Sequence, residues 1–265
     1  MKSSLIKTFA FLIFLTACSK VPISNRSQLN LLPESEMVSM SLASYADFLK
    51  TNPPLTGTPD AMMVKNIGAR IQSSVIQYLN QNKMGDRVAN YKWEFNLVNS
   101  KEVNAWCMPG GKVVVYSGIL ALTQDETSLA IVMGHEIAHA VARHGNERMS
   151  QLLLTQLGGM GLDLALSQKS AETRNIFLTS YGVGSGLGML AYSRTHETEA
   201  DKLGLIFAAM AGYDPQKAIS FWQRMAAQGG AKPPEFLSTH PSDATRIKDL
   251  QAFMPTALKY YKGKK

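Results

Sequence analysis

Cysteine is nearly absent from this chain: Cys18 and Cys107 are the only two among 265 residues. A stabilising disulfide framework is thereby excluded, and Cys107 reads as a small buried hydrophobe. No obvious transmembrane helix is present either, and the apolar run from Phe9 to Leu15 is too short to span as a stable anchor. No internal repeat is visible, which sets solenoid architectures aside. Charge of one sign is not concentrated. The formal net charge is +7, including Lys2 and Lys7 near the start and a cluster at Lys259, Lys262, Lys264 and Lys265. The other basic residues are scattered and no aromatic pattern interleaves with them. The tail therefore reads as a solvated terminus, and no nucleic-acid partner is expected.

What is present begins with a targeting segment. Lys2 and Lys7 supply a short basic region, Phe9 to Leu15 an apolar core, and Leu15-Thr16-Ala17-Cys18 looks like a bacterial lipobox. Residues 1–17 are then a lipoprotein signal peptide, Cys18 the lipidation site, and 18–32 a polar, irregular, lipidated tether. An ordinary signal peptide with a chance cysteine is the alternative. Ser19, rather than an acidic residue, resembles lipoproteins sent on to the outer membrane. The expected location is the bacterial cell envelope, lipid-anchored and facing the periplasm. Residues 33–265 are enough for one domain with a sizeable core.

Within that domain, Pro33 with Glu34 and Glu36 marks a helix start, and Met37, Met40, Tyr45 and Phe48 follow. A second helix is predicted from Pro59 to about Gln81, with Met63, Ile67, Ile71, Val75 and Tyr78 at helical spacing. Tyr91, Trp93, Phe95 and Leu97 alternate with polar residues as a half-buried strand does. Val103–Met108 and Lys112–Tyr116, joined by Pro109-Gly110-Gly111, read as a β-hairpin. Thr123 and Glu126 fit a capping box that opens a central helix running to about Arg143. The Leu-, Gly- and Ser-rich stretches between Gln151 and Tyr192 read as helices beside the site, with membrane hairpins as the alternative. Further helices are predicted from Asp214 to Gln228 and from Ser242 to about Phe253. The fold class is α+β: a mainly helical zincin-type domain with a small antiparallel sheet and a central motif helix.

That helix contains His135-Glu136-Ile137-Ala138-His139, the H-E-x-x-H zinc pattern. In a helix it puts two imidazoles one turn apart on one face, as ligands of one Zn2+ per chain. Glu136 projects off that axis and suits a general base, taking a proton from the attacking water and passing it to the leaving amine. A catalytic zinc wants three protein ligands and one open position. His144 falls one residue short of the spacing a third histidine would need, so it reads as a surface residue or a support for a ligand. Glu197 is the better third ligand, because Asp201 lies one turn later and can accept a hydrogen bond from a ligand imidazole. Glu199 points elsewhere and is the weaker candidate. Mixed histidine and carboxylate ligands favour zinc among the divalent ions.

These residues resemble the HtpX-like and CAAX-prenyl-protease-like gluzincins, metallopeptidase family forty-eight, and especially its periplasmic lipoproteins. The shared marks are the HEIAH segment, Ser193-Arg194 ahead of Glu197-x-x-Ala200-Asp201, and Val103-Asn104-Ala105 leading to Pro109-Gly110-Gly111. The resemblance implies Glu197 as third ligand. It also implies that the strand Asn104, Ala105, Trp106, Cys107 is the edge where substrate backbone docks by strand addition. His240, in Thr239-His240-Pro241, is then a displaceable fourth ligand or an oxyanion stabiliser, with a plain helix-entry residue as the alternative. Arg246 is placed to bond a carboxylate near the site. The chain departs from the family's integral-membrane members and ends soon after the His240 helix, with no room for a helical-repeat domain.

The implied activity is a zinc endopeptidase, with Glu136, Asp201 and His240 in its catalytic machinery, acting on unfolded or misassembled envelope proteins. A latent, chaperone-like zinc protein is the competing reading, and an envelope amidase a third. The sequence assigns no oligomeric state.

Overall fold

The computed structural model describes residues 18–157, 171–181, 192–228, 236, 239–240 and 244–263. The expected leader, and the stretches 158–170 and 182–191, lie outside them. Strands β1 (Cys18–Lys20) and β2 (Ser27–Leu29) pair antiparallel, ahead of helices α1 (Glu34–Thr51) and α2 (Pro59–Gln81). The irregular conformation expected of 18–32 is thus corrected. Gln28 is buried and donates to the Ala142 carbonyl, Asn146 donates to the Leu32 carbonyl, and Val21 and Leu32 are buried. The segment looks like a linker because its polar groups find partners far along the chain.

Helix α2 starts as its residues dictate, with Thr58 accepting from the Ala61 N–H and Pro59 in the first turn. Strands β3 (Glu94–Val98), β4 (Ala105–Met108) and β5 (Lys112–Tyr116) form a sheet in the order β3-β5-β4. The hairpin between β4 and β5 is as expected, its turn using Gly110 at φ 80° and Gly111 at φ 79°. β3 pairs parallel to β5, so the sheet is mixed rather than wholly antiparallel. Every residue of β5 is buried because apolar clusters cover both faces. Val113 and Val115 meet the main core, while Val114 joins Trp106 and Met108 in a second cluster.

A short turn at Ser117–Ile119 leads into α3 (Leu120–Thr123) and then α4 (Glu126–Ala142). The Thr123–Glu126 capping box does not form. Thr123 ends α3 and donates its hydroxyl to the Leu120 carbonyl, while Gln124 at φ 65° breaks the chain direction. Asp125 caps α4 instead, accepting from the Ser128 N–H. Helix α4 is buried continuously from Ser128 to Ala142, so it is the domain's central rod. Arg143 at φ 63° ends it, and α5 (His144–Leu157) departs in a new direction. Helices α6 (Ala171–Ser180), α7 (Arg194–Met210), α8 (Lys217–Ala227) and α9 (Ala244–Leu258) follow.

Helix α7 crosses α4 backbone to backbone. A Cβ on Gly204 would lie 2.8 Å from the Gly134 carbonyl carbon and from the His135 nitrogen. Only glycine permits that approach.

Candidate metal centre

The glycine crossing fixes α7 directly beside His135, and Ser193 starts α7 by accepting from the His196 N–H. One turn in, Glu197 faces the histidines of α4. One ligand atom each from His135, His139, Glu197 and His240 lies within 4.8 Å of the others, and all four residues are buried. His135 Nε2 is 3.0 Å from His139 Nε2 and 3.2 Å from His240 Nδ1. The Glu197 carboxylate is 3.3 Å from His139 Nε2, 3.1 Å from His240 Nδ1 and 3.5 Å from His135 Nε2. A tetrahedral zinc with bonds of about 2.0–2.1 Å keeps its ligand atoms about 3.3 Å apart. The cluster is therefore of zinc size, and its donor set suits that ion.

Beside it stands Glu136. Its Oε1 is buried without a hydrogen-bond partner among the described residues and faces His240 Nε2 at 3.6 Å. Burial raises the pKa of this carboxyl, only partly opposed by His240 and His135. Such a group readily accepts a proton. Burial would also raise Glu197, but His240, Arg246 and the two motif imidazoles hold it well below the usual range. Burial disfavours charge on His135, yet hydrogen bonds to Asp201 and Glu197 push it up to about 9. The carboxylates thus call for positive charge at the point where the metal would sit.

Further partners orient the rings. Asp201 Oδ1 accepts from His135 Nδ1 at 2.8 Å. Arg246 grips Asp201 with Nε and Nη2, both at 2.7 Å, and its guanidinium lies 3.3 Å over the Trp222 ring. Its Nη1 reaches Glu197 at 3.0 Å. His144 is not at the surface. It is wholly buried, with Nδ1 3.0 Å from His139 Nδ1 and Nε2 3.0 Å from Glu199 Oε2. Burial lowers it to about 4, so it is neutral near pH 7. Glu199 points away from the metal cluster, as expected. The sequence reading missed Tyr192, whose ring centroid is 4.1 Å from that of His139. It also missed the contribution of residues 18–32.

The strand Asn104, Ala105, Trp106, Cys107 lies against α4, with every side chain buried. Trp106 is enclosed by Tyr45 and Phe48. Its side chains therefore build the sheet, and the backbone of β4 forms the edge, which pairs with no further strand among the described residues.

Two histidines one turn apart, a glutamate from a second helix and a buried carboxylate beside them define the class: a zinc metalloendopeptidase of the gluzincin type. Residues 69–254 match the model of peptidase family M48. The mitochondrial metalloendopeptidase OMA1 of Saccharomyces cerevisiae is 30% identical over 263 residues, 94% of this chain and 73% of that protein. The human mitochondrial metalloendopeptidase OMA1 is 32% identical over 90% of this chain, which spans 46% of its length. The β-barrel assembly-enhancing protease of Escherichia coli is 31% identical over 65% of this chain and 37% of its own. The chain belongs to peptidase family M48, whose members are zinc-dependent.

Proposed function

We propose that this chain is a lipid-anchored envelope endopeptidase cleaving unfolded or misassembled envelope proteins, with His135, His139 and Glu197 as its zinc ligands. The observation that carries this reading is the buried Glu136 carboxyl beside a zinc-sized cluster, its Oε1 without a hydrogen bond among the described residues. A purely structural metal site needs no general base. When bound, the zinc supplies the Lewis acidity that makes water a nucleophile near neutral pH. Glu136 takes the water proton at Oε1 and delivers it to the leaving amine. Asp201, held by Arg246, keeps the His135 proton on Nδ1 and so leaves Nε2 free to donate.

The edge of β4 supports an extended substrate, because strand addition uses backbone groups and demands little of the substrate sequence. An unfolded chain can meet that demand and a folded domain cannot. The name of the E. coli relative supports an envelope setting, as does the lipobox at Cys18. No helix among the described residues is long and apolar enough to cross a membrane. A second reading rests on His240. With Nδ1 at the fourth corner of the cluster it would close the open position, leaving a latent, chaperone-like zinc protein.

One experiment separates the two. Zinc content and cleavage of a reduced, unfolded protein are measured for wild type, Glu136→Gln and His240→Ala. One zinc per chain in all three, with cleavage by wild type or His240→Ala and none by Glu136→Gln, is the expected result. Zinc without cleavage in every form would overturn the peptidase reading in favour of the latent one.

A further inference from the structure

We infer that Arg26, in the turn between β1 and β2, is a positioning residue for the metal centre, fixing the His139 ring through Glu199 and His144. The inference rests on His139 being a zinc ligand, and it concerns a residue upstream of the family match, which begins at residue 69.

A histidine that gives Nε2 to a metal carries its proton on Nδ1, and that proton needs an acceptor. For His135 the acceptor is Asp201, clamped by Arg246. For His139 the atom within reach is His144 Nδ1, at 3.0 Å. His144 must then hold its own proton on Nε2, which faces Glu199 Oε2 at 3.0 Å. Only this assignment satisfies every group, with each proton pointing toward the Glu199 carboxylate. The relay is as rigid as that carboxylate.

Arg26 supplies the rigidity. Its Nε and Nη2 meet the two Glu199 oxygens at 3.0 Å each, while Nη1 and Nη2 meet Glu147 at 2.7 and 2.8 Å. Ser24 donates a further hydrogen bond to Glu199 Oε1. A guanidinium fork matches two carboxylates at once in a way an ammonium cannot. The turn adopts unusual backbone to deliver these groups: Ile23 has φ 72° and Asn25 φ 54°. A β-branched residue there is strained and needs compensating contacts. The ribbon is also fastened to the end of the motif helix by Gln28 on the Ala142 carbonyl. Both ligand histidines thus end on an arginine, one from each end of the domain.

The test compares wild type with Arg26→Gln, Arg26→Lys and Ser24→Ala. The measurements are zinc affinity by chelator competition, the visible spectrum of the Co(II)-substituted protein, and thermal unfolding without metal. Arg26→Gln is expected to lose about tenfold to a hundredfold in zinc affinity and to alter the cobalt spectrum. Arg26→Lys should recover part of both, and Ser24→Ala should lose a few-fold. If Arg26→Gln lowers the unfolding temperature while affinity and spectrum match wild type, Arg26 is only a clamp and the inference fails. Should Arg26→Gln not fold, wild-type affinity and spectrum in both milder variants would overturn it equally. A wild-type protein that binds no zinc would instead remove the metal-centre reading itself, before any variant is compared.

Discussion

At the scale of single residues, the proposed ligand set follows helical spacing. His135, Glu136 and His139 sit within two turns of one helix, and Glu197 and Asp201 within one turn of another, so pattern alone groups them. Asp201→Asn should lower zinc affinity about tenfold to a hundredfold, because the His135 Nδ1–H then meets an amide that Arg246 no longer clamps by charge. Chelator competition measures it. His240→Ala should weaken zinc retention while turnover of an unfolded substrate rises, since the fourth corner opens. Unchanged affinity and turnover would leave His240 a bystander. What spacing could not reveal is distance in the chain. His144 meets Glu199 55 positions away, and Arg26 meets Glu199 173 positions away. Arg143 in the left-handed region also breaks the helical register between His139 and His144, so no wheel projection places them together.

Elements were legible where local chemistry decides them. Pro59 to Gln81 forms the predicted helix because a capping threonine, an N-terminal proline and a periodic apolar face agree. The hairpin follows from its glycine turn. The parallel pairing of β3 did not follow, because alternation marks a strand without naming its partner or direction. The cap of α4 was misplaced by two residues because Thr123 and Asp125 both offer a capping oxygen, and the left-handed Gln124 between them decides. Asp125→Ala should cost about 1 kcal/mol, read as a shift in the denaturation midpoint. Gly204→Ala tests the helix crossing. Its new Cβ would push α7 off α4, costing about 2 kcal/mol and carrying Glu197 away from the histidines. Weakened zinc binding alongside the stability loss is the expected pair of results; stability loss alone would separate the crossing from the site.

For the molecule as a whole, the domain's beginning is part of its centre. Polar composition suggested a loose linker over 18–32, since hydrogen bonds to distant carbonyls and carboxylates leave no periodic trace. The same network sets an acid limit on stability. Burial would raise Glu147, but hydrogen bonds from Arg26 and His196 hold it down to about 2, against an ordinary 4.5. Its contribution is complete above about 4.5 and drains away as pH falls toward 2. The metal-free protein should therefore lose thermal stability across that window, and Glu147→Gln should start lower near neutral pH and flatten the fall. The strand β1 begins at Cys18 itself, and the ribbon it opens is bolted to the motif helix. A lipid on Cys18 would leave no leash. The metal centre would ride the bilayer surface and sweep a plane instead of a volume, so its encounters would follow lateral diffusion and the surface density of targets rather than their bulk concentration.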